Sequence, residues 1–186
     1  QSPSASSSSV YGEGMELPKR ESQVPLPISP YAVSKHTVEQ YARVFHRLYG
    51  LPVVLLRYFN VFGPRQNPQS QYAAAIAKFC FCALRGTRVP IHGDGEQSRD
   101  FTFVANVVQA NLLACTAPAA PGQVMNIATG GQVTLLQVVA MLGEITGRRL
   151  DIDFLPARAG DVRHSLGAID AAREFIGYQP QYDIRA

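Results

Sequence analysis

The 186-residue chain is poor in cysteine, in long apolar runs and in charge of one sign. Three cysteines cannot build a disulfide framework, and nothing points to secretion, so a reducing, cytoplasmic setting is expected. No apolar run approaches the roughly 18 residues of a membrane span, so no membrane partner is expected. The opening Gln1-Ser2-Pro3-Ser4-Ala5 has neither the basic nor the apolar region of a signal peptide. The 17 Lys+Arg against 14 Asp+Glu leave a net charge of only +3. These basic residues are scattered rather than gathered into a stripe, which excludes a dedicated nucleic-acid binder. A small anion needs only two or three well-placed guanidiniums, so a small anionic substrate remains open. There is no internal repeat and no low-complexity tract beyond one serine cluster. With 46% hydrophobic and 17% charged residues, the chain can bury a core as one domain, two at most.

Residues 1–30 are rich in Ser and Pro and read as loop. Ser29-Pro30 then offers an N-cap and a first helical residue. Val38, Tyr41, Ala42, Phe45 and Leu48 follow at helical spacing, and Gly50 closes the helix. Val53-Val54-Leu55-Leu56 suits a strand covered on both faces. Further helices are predicted over 72–85, 105–117, 134–146 and 170–176, with strands at 89–92, 101–104, 124–127 and 150–154. Cys80, Cys82 and Cys115 fit buried helix positions, and no histidine has metal-ligand spacing. Helices that separate strands in this way point to an α/β fold.

The sharpest feature is Tyr31-Ala-Val-Ser-Lys35 at the start of the first helix. Residues four apart share a helix face. A lysine there holds a cation near a phenol, whose ordinary pKa of ~10 falls beside positive charge. Such a tyrosine can serve as a general base. The spacing alone is common, and its weight comes from its neighbours. Upstream lies Ser6-Ser7-Ser8-Ser9-Val10-Tyr11-Gly12. Downstream lie Leu56-Arg57-Tyr58-Phe59-Asn60-Val61-Phe62-Gly63-Pro64-Arg65, then Gly93 to Phe101 with Arg99, then Arg158-Ala159-Gly160-Asp161-Val162-Arg163-His164-Ser165.

In this order and at these separations, the set resembles the extended short-chain dehydrogenase/reductase family. Within it, the chain is most similar to nucleotide-sugar 4-epimerases of the UDP-N-acetylglucosamine and UDP-glucose type. The resemblance implies the C-terminal part of a Rossmann-type parallel sheet plus a smaller α/β substrate-binding domain. Residues 1–66 would be the remainder of the NAD-binding domain. Residues 67–186 would mainly bind the nucleotide sugar, with some segments returning to the first domain. The family's glycine-rich turn cradles the NAD pyrophosphate. No such turn follows a strand here: neither Gly93-Asp94-Gly95 nor Gly130-Gly131 continues the pattern. The expectation is therefore a C-terminal portion of a longer enzyme, inactive by itself and a homodimer when full length.

The resemblance also implies roles. Ser7 takes the catalytic serine position, where its hydroxyl would bond the reacting sugar oxygen. Tyr31 would remove the 4-hydroxyl proton. Lys35 would bind the nicotinamide ribose, and Phe59 would contact the cofactor. Asn60, Arg99 and Arg158 would hold the diphosphate region, and Asp161 the ribose hydroxyls. Ala74, Ala75, Pro90, Ile91 and His92 would line the uracil pocket. Ser165 would face the sugar's 2-substituent, where a small side chain leaves room for an N-acetyl group. The implied reaction is a transient oxidation at C4 by NAD. A 4,6-dehydratase or another enzyme of this scaffold is the alternative, although dehydratases place acidic residues where Ser8-Ser9 stand. A non-catalytic truncated product is the other.

Overall fold

Backbone pairing begins earlier than the composition predicts. In the computed structural model, which describes residues 1–14, 16–69, 75–157 and 162–186, Ser2–Ser7 forms strand β1. It pairs in parallel with β2, Val53–Tyr58, from Ser2 opposite Val53 to Ser7 opposite Tyr58. The loop expected over residues 1–30 is thus corrected at its start. Ladder bonds come from the backbone, so a serine-rich segment can pair where a buried apolar strand offers its edge. Ser8–Tyr11 then makes one 3-10 turn.

Helix α1, Pro30–Tyr49, begins as expected, with Ser29 Oγ accepting the N–H of Ala32. Gly50 ends it in the left-handed conformation. Short strand β3, Val61–Phe62, and helix α2, Ala75–Arg85, follow. Strands β4, Val89–His92, β5, Ser98–Arg99, and β6, Thr102–Phe103, lead into helix α3, Val104–Thr116. Strands β7, Val124–Ile127, and β8, Val133–Thr134, precede helix α4, Leu135–Thr146. Thr134 and Gln137 close a reciprocal capping box on α4. Strand β9, Ile152–Leu155, and helix α5, Asp170–Ile176, complete the order. Predicted helices and strands therefore recur with small boundary shifts. One is at 101–104, where Val104 already belongs to α3.

The main sheet runs β1-β2-β7, all parallel. Its core joins Val54, Leu56, Met125 and Ile127 to Ala110 and Ala114 of α3 and to Ala172 and Ile176 of α5. Each large side chain buried there contributes roughly 1.5–3 kcal/mol. A second core packs Phe79 and Cys82 of α2 against Val138 and Val139 of α4 and against Val89 and Ile91 of β4. Beside it, β4 pairs in parallel with β9. Cys115 is a correction: it is exposed, whereas Cys80 is half-buried and Cys82 buried. The inner face of α3 runs through Asn106, Ala110 and Ala114, and the next residue turns outward.

Candidate active site

Strands β1 and β2 end side by side, and their C-terminal ends open into a cleft of about 500 Å³. This is where parallel α/β sheets characteristically bind ligands. Ser7 Oγ, capping the 3-10 turn, accepts the N–H of Ser9 at 3.2 Å and its hydroxyl at 3.0 Å. Ser6 and Ser7 both border the cleft; Ser7 is partly exposed, while Ser6 is buried and donates its hydroxyl to Glu39 at 2.5 Å. Tyr31, on the first turn of α1, lines the cleft half-exposed. The Lys35 ammonium lies 5.7 Å from the Tyr31 ring centroid and donates to the Ala5 carbonyl at 3.1 Å.

The opposite wall comes from the loop after β2 and from residues 162–165. Asn60 has φ +34, a left-handed conformation that asparagine tolerates better than most residues. Its amide donates to Asp100 O at 3.0 Å and to Ser165 Oγ at 3.3 Å. Arg99 reaches the cleft while its guanidinium donates to the carbonyls of Ser98 and Arg163. His164 also lines it, with Nδ1 2.8 Å from Ser98 Oγ.

Beneath these groups, Asp100 is fully buried. One carboxylate oxygen accepts from Thr129 N at 2.8 Å and Thr129 Oγ1 at 2.7 Å. The other accepts from Gly130 N at 3.0 Å and Gly167 N at 3.2 Å. Burial pushes this carboxyl's pKa up, and the four donors pull against that rise. Lys19, on the cleft wall and bonded to the Gly14 carbonyl, has its pKa lowered by burial.

Ser7, Tyr31, Phe59, Asn60, Arg99 and Ser165 thus meet around one cleft, with Lys35 at its edge. Phe59 borders it fully buried, its ring 6.3 Å from that of Tyr11, so its side chain serves the core. Pro90, Ile91 and His92 sit on β4, outside the lining. Ile91 is fully buried, and His92 Nδ1 lies 3.0 Å from Pro156 O. Ala75 opens α2 and packs against the second core. Ala74, Arg158 and Asp161 lie outside the described residues. Lys19, Asp100 and His164 were missed by the sequence reading. His164 and Asp100 carried a signal, standing beside Ser165 and Arg99 in matched motifs, and Lys19 carried none.

Residues 3–128 match the NAD dependent epimerase/dehydratase family, and the chain belongs to that family. It is 42% identical to the UDP-N-acetylglucosamine 4-epimerase of Methanobrevibacter ruminantium, solved with UDP-N-acetylmuramic acid. The TM-score is 0.93, over 97% of this chain and 57% of that one. It is 41% identical to the UDP-glucose 4-epimerase of Thermotoga maritima with UDP-glucose, at a TM-score of 0.92 over 98% of this chain and 59% of that one. The UDP-glucose 4-epimerase of Mycolicibacterium smegmatis is 36% identical over 95% of this chain and 56% of its own length. The chain therefore spans little more than half the length of its relatives. The fold is the α/β, Rossmann-type fold of these epimerases.

The family is NAD-dependent, and the UDP-glucuronic acid 4-epimerase of Bacillus cereus, 32% identical, was solved with UDP-glucuronic acid and NAD. The donors here fit one end of that cofactor. An ammonium has three N–H donors, and Ala5 takes one from Lys35, which lies 5.7 Å from the ring centroid of half-exposed Tyr31. Those groups suit a nicotinamide riboside, while the sequence holds no glycine-rich turn for the pyrophosphate. Among the described residues, no cluster of His, Cys, Asp or Glu could hold a metal ion. None of their helices is long and apolar enough to cross a membrane.

Proposed function

We propose that this chain carries the proton-transfer and sugar-binding half of an NAD-dependent nucleotide-sugar 4-epimerase, acting on UDP-N-acetylglucosamine and UDP-glucose. The observation that carries this reading is one cleft receiving Ser7, Tyr31, Asn60, Arg99 and Ser165 from separate segments. NAD, when bound, supplies hydride acceptance and return at the sugar C4. Lys35 and Tyr31 would hold its nicotinamide ribose. The chain's own residues do the rest. Tyr31 takes the O4 proton and later returns it, with the Lys35 cation placed to offset the phenolate charge. Ser7 already accepts two hydrogen bonds, so its own proton is directed at the sugar oxygen. Arg99, with Arg158, pairs with the diphosphate, so binding energy sits away from the reacting carbon while the sugar turns. Asp161 would bond the ribose hydroxyls.

Ser165 is small, and its hydroxyl accepts from Asn60 while its N–H donates to the Ser98 carbonyl, which leaves room for a 2-acetamido group. A pocket that selects on volume discriminates weakly, so both sugars are expected to react. The same reading keeps residues 1–66 as the remainder of a nucleotide-binding lobe and 67–186 as mainly the sugar-binding lobe. Two separate cores support it, as does the return of β7 and α5 to the first. The outward apolar stripe of α1 supports pairing with a second copy.

The test uses the intact protein, or this chain joined to a glycine-rich nucleotide-binding half. It is incubated with NAD and UDP-N-acetylglucosamine, UDP-glucose or UDP-glucuronic acid, and products are resolved by anion exchange. The 4-epimer is expected from the first two, lost in Tyr31→Phe, with this chain alone inert. A Ser165→Tyr variant should keep UDP-glucose turnover and lose the acetamido sugar. A 4-keto-6-deoxy product would establish a dehydratase instead.

A further inference from the structure

The sequence puts a glutamate on α1 one turn beyond Lys35 and an arginine inside the apolar strand β2. Neither reaches solvent: Glu39 and Arg57 are both fully buried, and Ser6 is 2% exposed. Arg57 grips Glu39 with two bonds, Nε to Oε1 at 2.8 Å and Nη2 to Oε2 at 2.7 Å. Ser6 donates to the same Oε1 at 2.5 Å. The guanidinium packs 4.7 Å from the Tyr11 ring centroid, and Tyr11 donates to Asn126 Oδ1 at 2.7 Å. His36 also stands against this carboxylate, its Nδ1 3.9 Å from Oε2, and the Arg43 charge acts on it as well.

A buried ion pair is weak evidence for stability, because well-packed apolar residues often serve as well. What a bidentate fork does supply is direction. Here it fixes one carboxylate, and that carboxylate takes the hydroxyl of the residue before Ser7. Side chains alternate across a strand, so holding Ser6 inward turns Ser7 toward the cleft. The same carboxylate stands on the helix that carries Tyr31 and Lys35.

We propose that Ser6, Glu39 and Arg57 are positioning residues: together they latch the end of β1 to α1 and set Ser7 against Tyr31 and Lys35. This rests on the epimerase reading, and although Ser6 borders the cleft, its hydroxyl is spent on Glu39.

The test compares the intact protein with Ser6→Ala and with the double variant Glu39→Gln/Arg57→Met, below the melting temperature of each. Small misplacements of reacting groups cost large factors in rate, so kcat should fall about tenfold or more in both while KM for UDP-N-acetylglucosamine is held. In Ser6→Ala the Ser9 amide, bonded to Ser7 Oγ, should exchange about tenfold faster, with the β2 amides unchanged. If the double variant does not fold, Ser6→Ala decides, since it removes a single oxygen. A folded Ser6→Ala with wild-type kcat and Ser9 exchange overturns the proposal. So does a rise in KM alone, which would make Ser6 a binding contact. An intact wild type that turns over no UDP-sugar refutes the epimerase reading, and the Ser9 exchange rate then decides the latch by itself.

Discussion

Replacing Asp100 with asparagine isolates the buried anchor under the cleft. The two carboxylate oxygens each accept two donors: Thr129 N and Oγ1 on one side, Gly130 N and Gly167 N on the other. An asparagine has one acceptor oxygen, so either orientation turns an NH₂ toward two donors. Two buried donors left unmet cost about 1–3 kcal/mol each, roughly 2–6 together. Removing the charge also relieves the burial that pushes this carboxyl's pKa up, which offsets part of that loss. Equilibrium urea denaturation with linear extrapolation reads that loss directly. The control is Asp94→Asn, whose exposed pairing with Arg163 should leave the midpoint in place. A loss below about 1 kcal/mol for Asp100→Asn would refute the reasoning, because the four donors would then have other partners or water.

Acid should weaken the fold through Glu39. Burial alone would raise its pKa, but the bonds from Arg57 and Ser6 and the Arg57 charge outweigh that and hold it below the usual range. A lowered folded value means stability is present above the unfolded pKa of about 4.3 and is lost as pH falls through the folded one. Urea midpoints should therefore drop at acid pH in the wild type and drop less in Glu39→Gln/Arg57→Met; equal acid limbs would count against it. Gly12 combines φ +63 with ψ −147, and a Cβ there would strike the Leu26 carbonyl. Gly12→Ala should lose about 3 kcal/mol or more by thermal or urea melting, and a near-neutral result would show that the loop yields. On α1, Val38, Tyr41, Phe45 and Leu48 are 41–65% exposed along one stripe. Sedimentation of the intact protein should find a dimer that Phe45→Glu converts to monomer, and a monomeric wild type would refute that pairing.

The sequence by itself determined the features whose causes are local. Ser29-Pro30 and Gly50 mark helix ends through contacts within a few residues and stand where the sequence put them, and Thr134 with Gln137 and Gly177 end helices by the same local means. The order of motifs was equally legible, and with it the family. Tertiary structure decided what depends on distant partners. Serine-rich Ser2–Ser7 becomes a strand only because β2, some fifty residues later, offers its edge. Ser6 is buried against a glutamate 33 residues away, which accepts its hydroxyl. Nothing local marks the partners of Glu39 or Asp100: Arg57 comes against the first, and Thr129, Gly130 and Gly167 converge on the second, only in the folded chain. Ile91 and Phe59 are fully buried, Phe59 at the border of the cleft as well as in a core, and sequence spacing carries no record of that depth.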